Sequence, residues 1–277
     1  MKETLYVIKI GGNIIDDEVK LSSFLKQFAE LFGSNSQYPF RGRGLLIHGG
    51  GKLATKLAAE LGVEQQMVEG RRITDAETLK IVTMVYAGYI NKNIVAELQS
   101  YQCNAIGLTG ADGNIIKAHK RNTNSPLGVG GIDYGFVGDV DEVNTNVLTS
   151  LIDQNIAVVL APITHDESGQ LLNTNADTIA QETAKALSKH YNVQLIYSFE
   201  KSGVLMNAED DNSVIASINP TSYQQLRENN IIFAGMIPKL DNAFAALQSG
   251  VEKVIIGKAE QLHSLITGSA GTSIVHE

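Results

Sequence analysis

Leu5-Tyr6-Val7-Ile8-Lys9-Ile10-Gly11-Gly12, near the start of the chain, and Leu45-Leu46-Ile47-His48-Gly49-Gly50-Gly51, farther on, read as one construction used twice. Each begins with a short apolar run, passes into glycines and is followed by a segment with helical periodicity. Two strand–glycine–helix corners supply two sets of backbone N–H groups with no side chains in the way. That arrangement holds phosphate without covalent chemistry. Glycines also make tight strand-to-helix turns, and both uses are compatible at the same corner.

Outward from these corners, apolar runs recur at residues 44–47, 105–109, 156–163, 193–197 and 254–257. Helical patterns lie between them: Leu21, Phe24, Leu25, Phe28, Leu31 and Phe32; Leu53, Leu57 and Leu61; Ala176, Ile179, Ala180, Thr183, Ala184 and Leu187. Continuous apolar strands alternating with helices predict an α/β fold, an open, mostly parallel central sheet sandwiched between helices. Residues 110–140 differ, being rich in Gly, Asn and Asp with Lys117, Lys120 and Arg121 interspersed. They predict a β-hairpin excursion with turn residues at 110–114 and 128–131, and residues 206–214 predict a second. Thr74-Asp75-Ala76-Glu77 reads as a capping box opening a helix that runs to about Ser100. Its face of Leu79, Val82, Val85, Tyr86, Tyr89 and Ile90 packs on its own sheet or pairs with a copy of itself in a homodimer.

The chain has 277 residues, 43% of them hydrophobic, enough to bury a large core as one domain or two closely joined lobes. A net charge of −8 argues against nucleic acid or a bilayer surface as the main partner. An anion site must then be a local concentration of Lys, Arg and N–H groups. The single cysteine, Cys103, fits a reducing compartment and a small buried residue. No run approaches the about 18 apolar residues of a membrane span, and Met1-Lys2-Glu3-Thr4 leads at once into a strand. Both point to a cytosolic protein.

Several common signatures are missing. Gly49-Gly50-Gly51-Lys52-Leu53 and Gly257-Lys258-Ala259 lack the hydroxyl residue of a P-loop, and no dinucleotide fingerprint stands at a strand end. No zinc-ligand cluster or nucleophile elbow is present either.

Five local patterns remain: Lys9-Ile10-Gly11-Gly12; His48-Gly49-Gly50-Gly51; Gly70-Arg71-Arg72-Ile73-Thr74; Asn173-Thr174-Asn175-Ala176-Asp177; and Gly235-Met236-Ile237-Pro238-Lys239. In this order and spacing the chain resembles the amino acid kinase family from Lys9 to about Thr272. The resemblance implies ATP-dependent phosphorylation of the γ-carboxylate of an N-acylglutamate, N-acetyl- or N-succinyl-glutamate, to an acyl phosphate in arginine biosynthesis. Other members act on aspartate, free glutamate, carbamate or uridine monophosphate. Aspartate kinases add a C-terminal regulatory region, and this sequence ends before one. A reading from another class is a non-catalytic anion- or nucleotide-binding protein on the same fold.

Transfer of a γ-phosphoryl group spreads negative charge over three oxygens, so catalysis is positioning plus electrostatic stabilisation. By resemblance, Lys9 and Lys239 flank that group and Asp177 sits between their ammonium groups. Gly11 and Gly12 serve the phosphates of ATP, with Ser202, Gly203 and Leu205 nearer the nucleotide. Gly50 and Gly51 serve the acid, Arg72 forks onto its carboxylate and Asn173 contacts its amide or backbone carboxylate. His48 is structural, because a carboxylate nucleophile has no proton to remove. Mg²⁺ bridges the β- and γ-oxygens of ATP with no protein ligand named. The implied domain has an acid-substrate lobe over about residues 1–172 and a nucleotide lobe over about 173–277.

Two departures stand out. Where the family shows Thr/Ser-Asp-Val-x-Gly-Val, this chain has Ser198-Phe199-Glu200-Lys201-Ser202-Gly203-Val204-Leu205. Arg71 adds a second cation beside Arg72, suited to an acyl group with its own carboxylate. Arginine-inhibited members carry an extra N-terminal helix that links dimers into rings. Here the first strand begins at Leu5, which implies a dimer not inhibited through that arrangement.

Overall fold

Leu5 and Val7 of the first strand point to one side of the sheet and Tyr6, Ile8 and Ile10 to the other. All five are buried, so this strand has helices on both faces and no polar side to show. The computed structural model describes residues 2–34, 42–68, 71–121, 131–207, 209–229, 231–232 and 236–276, with Arg71 and Pro238 in backbone only. β1 (Thr4–Ile10) lies inside an eight-stranded sheet. Its order is β12 (Ser217–Ile218), β14 (Thr272–Ile274), β13 (Lys253–Lys258), β11 (Asn192–Phe199), β1, β2 (Gly42–His48), β8 (Ala157–Leu160) and β5 (Ala105–Leu108). Neighbours from β13 to β5 are parallel, and β14 is antiparallel to β13. The open, mostly parallel sheet is as the sequence predicts.

On one face Tyr6, Ile8 and Ile10 pack with Phe24 and Phe28 of α2 (Glu18–Phe32), Ala54 and Ala58 of α3 (Gly51–Glu60) and Leu262 and Leu265 of α10 (Leu262–Thr267). On the other, Leu5 and Val7 pack with α6 (Thr145–Asp153), α7 (Ala176–Leu187), α8 (Pro220–Glu228) and α9 (Ile237–Gln248) through Leu148, Ile179, Leu226 and Leu240. The stripe expected to lead α3 inward is displaced. Ala54 and Ala58 are buried while Leu61 is 58% exposed, because small residues let α3 lie close to its neighbours.

A second sheet runs β10 (Leu171–Asn173), β9 (Ile163–His165), β6 (Ile116–Lys120) and β7 (Gly138–Val143). The antiparallel β6–β7 pair is the expected excursion; residues 122–130, with Gly128, lie outside the described residues. An antiparallel bridge between Leu205 and Val214 marks the second hairpin. The apolar run at 156–163 is not one strand: β8 stops at Leu160, and after Ala161-Pro162 the chain enters β9 of the other sheet. Pro162 has no N–H for a ladder.

The long helix is present in three pieces: α4 (Ala76–Thr83), a π-helical segment Met84–Ile90 and α5 (Asn91–Ser100). Its cap is Asp75, which accepts from the Thr78 N–H at 2.7 Å, not Thr74. Thr74 is held in extended backbone by the Tyr134 carbonyl and the Phe136 N–H, and Glu77 turns to Lys80 at 2.7 Å. The capping box is therefore corrected to a single aspartate cap.

His48 ends β2 with its side chain fully buried. Its Nδ1 lies 2.8 Å from the Gly49 carbonyl and its Nε2 3.2 Å from the Asn91 amide nitrogen. A carbonyl only accepts and an amide NH₂ only donates, so Nδ1 carries the proton and the ring is neutral. Burial pushes its pKa down to about 4. An unfolded chain takes up this proton first as pH falls below about 6.5, so the neutral ring's contribution is lost between pH 6.5 and 4. Urea unfolding should find wild type losing about 3 kcal/mol more than His48→Gln over that range. Parallel pH dependence in the two proteins would contradict the assignment.

Candidate active site

Alternation along β1 puts Lys9 on the same face as Leu5 and Val7, beneath α7 and α9. β11 is in register beside it, Lys9 opposite Tyr197, and sends Val193, Leu195, Tyr197 and Phe199 to that same face. Asn175 caps α7, accepting from the Asp177 and Thr178 N–H groups at 2.8 and 3.1 Å. That start turns Asp177 toward β1, and its Oδ1 lies 2.8 Å from Lys9 Nζ. Lys239, in the first turn of α9, lines the same small cavity as Lys9, Asp177, Tyr197, Ser198 and Phe199.

The two lysines are held differently. Lys9 has an ion pair with Asp177, whereas the Lys239 ammonium sits 4.5 Å from the centre of the Phe199 ring. Burial lowers the Lys239 pKa; the Asp177 charge acts to raise it and Lys9 to lower it. The structure thus brings all three expected residues together, with Asp177 bonded to Lys9 and acting on Lys239 through its field. Gly235 of the same motif lies outside the described residues.

The glycine corners separate by what a side chain would meet. Gly11 has extended backbone open to any residue (φ −82°, ψ 167°), at the entry to α1 (Gly12–Ile15). A Cβ would find no atom closer than 4.0 Å at Gly11, 3.7 Å at Gly12, 3.9 Å at Gly49 and 3.6 Å at Gly51. Internal packing does not demand glycine there, and the space fits a ligand approaching the backbone. Gly50 is the reverse: its φ is +147° and a Cβ would lie 2.2 Å from Ile90 Cδ1. Gly203 is also a packing glycine, against Thr272 and Val214; Leu205 is buried and Ser202 partly exposed in the same loop. These three do not line the Lys9–Lys239 cavity among the described residues.

A larger cavity of about 200 Å³ is lined by Gly50, Gly51, Arg72, Tyr86, Asn173 and Ala176, with Met67, Val137 and Pro162 as apolar wall. Arg72 comes from a short antiparallel ladder, β3 (Met67–Val68) with β4 (Arg71–Arg72). Its buried guanidinium is fixed by the Gly51 carbonyl and Thr55 Oγ1, each at 2.9 Å, and by Gln65 Oε1. Asn173 donates to Thr74 Oγ1 at 3.0 Å, and that hydroxyl donates to the Arg72 carbonyl at 3.2 Å. The expected acid-binding residues Gly50, Gly51, Arg72 and Asn173 therefore form one wall. The cavity ends at Ala176, and the next residue, Asp177, belongs to the smaller one. The Arg71 side chain lies outside the described residues.

Some contributors escape a reading of motifs. Tyr86 is an apolar position of the long helix, and only the π-helical turn lays it against Gly50 and the cavity. Gln65 and Thr55 hold Arg72 from segments without a signature. Lys52 links the corners by donating to Asn13 Oδ1 and standing 4.0 Å from Asp16. Among the described residues no three His, Cys, Asp or Glu side chains gather to hold a metal, and no helix is long and apolar enough to cross a membrane.

The two kinds of glycine predict opposite phenotypes. Gly11→Ala should keep stability within about 1 kcal/mol of wild type and lose affinity for a nucleoside triphosphate, measured by calorimetric titration. Gly50→Ala should lose about 3 kcal/mol or more in urea unfolding, from a strained φ and a clash. Normal triphosphate affinity in Gly11→Ala would contradict the phosphate role.

Comparison with known proteins identifies the family. The model of the amino acid kinase family matches residues 4–258. An acetylglutamate kinase of Cytophaga hutchinsonii is 55% identical over 275 residues, covering 99% of each chain. An acetylglutamate kinase of Parabacteroides distasonis is 54% identical over 261 residues, 94% of this chain and 96% of that one. The structure of carbamate kinase from Giardia lamblia bound to AMP-PNP shares the fold, with a TM-score of 0.68 at 16% identity over 100% of this chain and 99% of that one. The chain belongs to the amino acid kinase family.

Proposed function

We infer that the protein transfers the γ-phosphoryl group of ATP to the γ-carboxylate of N-acetylglutamate, a step of arginine biosynthesis. The observation that carries this reading is a pair of cavities lined by consecutive residues of α7, Ala176 and Asp177: one walled by a locked Arg72, the other holding Lys9, Asp177 and Lys239. Full-length likeness to acetylglutamate kinases supports the choice of acid.

The acid lies in the larger cavity, its α-carboxylate on Arg72 and its amide near Asn173. Its γ-carboxylate then passes Gly50 and Gly51, which line the larger cavity, toward Asp177 and the smaller one. The triphosphate runs past Gly11 and Gly12 into the smaller cavity, its nucleoside end toward Ser202, Gly203 and Leu205. A carboxylate oxygen attacks the γ-phosphorus in line, the bond to the β-phosphate oxygen breaks, and ADP departs with its electron pair. No proton is removed, in keeping with a neutral, fully bonded His48. Lys9 and Lys239 face the charge that gathers on the transferring group, where fixed cations lower the barrier most. A Mg²⁺ ion carried in with the nucleotide would neutralise part of the phosphates' charge.

In this reading residues up to about 172 form the acid lobe and residues from about 173 the nucleotide lobe, with α7 opening between them. The protein works in the cytoplasm as a homodimer. Met84 and Tyr89 on the π-helical segment are 55% and 62% exposed, which supports pairing through the long helix. Wild type should sediment at about twice the chain mass and Tyr89→Asp as the monomer; a monomeric wild type would overturn the pairing.

A hydroxamate assay tests the chemistry, since hydroxylamine traps an acyl phosphate. With ATP and Mg²⁺, signal should appear with N-acetylglutamate and fall about 100-fold or more in Lys239→Ala. N-succinylglutamate run beside it reads the acyl preference. Arg72→Ala should chiefly raise KM for the acid and leave ATP binding intact. Nucleotide binding without hydroxamate from either acid would mark a non-catalytic binder.

A further inference from the structure

Phe199 is the last residue of β11, on the sheet face that carries Lys9 and Tyr197, in the stretch where the aspartate of the family pattern falls at Phe199 or at Glu200. Its ring is partly exposed, lines the small cavity, and presents its face to Lys239 Nζ at 4.5 Å. Asp177, the acid whose field reaches Lys239, is committed to Lys9 at 2.8 Å. The lysines are thus fixed by unlike means, one by a carboxylate and one by an aromatic face.

We propose that Phe199 is a positioning residue for Lys239, holding its ammonium at the point of phosphoryl transfer through the ring face. The proposal rests on the reading of Lys239 as catalytic. An ammonium on a four-carbon stem is mobile, and Lys9 in the same cavity repels it. With nothing to hold it, Lys239 swings toward solvent and must be recovered each time the transition state forms. The negative quadrupole of a ring face holds a cation at this distance without neutralising it. All three N–H donors then stay available for phosphoryl oxygens. An aspartate at 199 would instead pair with Lys239 in the resting enzyme and place a negative charge beside the arriving phosphates. That pairing would favour the ground state over the transition state.

The experiment compares kcat and both KM values in Phe199→Leu, Phe199→Met, Phe199→Tyr and Phe199→Asp, each with and without Lys239→Ala. Phe199→Leu and Phe199→Met fill the space without a ring, so agreement between them removes packing as the cause. Both should lower kcat about 5- to 30-fold with KM for N-acetylglutamate unchanged, the size expected of a partly desolvated cation–π contact. Phe199→Tyr should stay within about twofold of wild type, and Phe199→Asp should fall at least as far as Phe199→Leu. In the Lys239→Ala background all four should be without further effect on kcat. A rise in KM for ATP with kcat intact would overturn the proposal, giving the ring to the nucleotide instead. An undiminished kcat loss in the Lys239→Ala background would overturn it as well. If Lys239→Ala alone costs less than about tenfold, the catalytic reading of Lys239 itself fails, whatever Phe199 does.

Discussion

The ion pair between Lys9 and Asp177 ties together the parts on which the site depends. A lysine on a strand buried on both faces has little water with which to solvate its charge, and an aspartate at 2.8 Å offsets that cost. To deliver that aspartate, α7 must begin where Asn175 caps it and lie across β1 on the side opposite α2 and α3. The start of α7 is also where the lining passes from the larger cavity, at Ala176, to the smaller one, at Asp177. Both partners keep some exposure toward the cleft, which lets their charge act on whatever enters it.

Around that pair the fold distributes rigidity unevenly. Arg72 and Asn173 are fixed by side chains and carbonyls from separate segments, and His48 is fixed between Gly49 and Asn91. At positions 11, 12, 49 and 51 a side chain would have room, although the Gly11 and Gly49 N–H groups already donate to the Ser198 and Ile10 carbonyls, and Gly50 contributes the turn that lets β2 meet the π-helical segment. In the proposed function, acid recognition rests on these preorganised side chains and phosphate recognition on glycines that leave room at the strand ends.

Much of this was legible in the sequence because it follows from periodicity. Unbroken apolar runs meant strands covered on both faces, and alternation along β1 alone puts Lys9 on the α7 side. The five motifs pointed to Lys9, Arg72, Asn173, Asp177 and Lys239, which the fold places in two cavities, Arg72 and Asn173 in the larger and the other three in the smaller. What escaped reading depends on tertiary contacts that leave no local pattern. Thr74 looks like a cap until its backbone is seen paired with residues 134–136. Leu61 looks like core until Ala54 and Ala58 are seen to allow closer packing. The π-helical turn that moves Tyr86 to the cavity has no composition of its own, and Gln65 reaches Arg72 from an unmarked loop.

In the proposed function, fixed charge around Lys9, Asp177 and Lys239 acts on the transition state more than on bound ATP. The most direct measurement is calorimetric affinity of wild type and Asp177→Asn for two ligand sets. One is MgADP with aluminium fluoride and N-acetylglutamate, mimicking the transferring group; the other is a non-hydrolysable MgATP analogue alone. Asp177→Asn should weaken the first about 100-fold and the second only about threefold. Equal weakening of both would mean that Asp177 merely helps to bind nucleotide and does not act on the transition state.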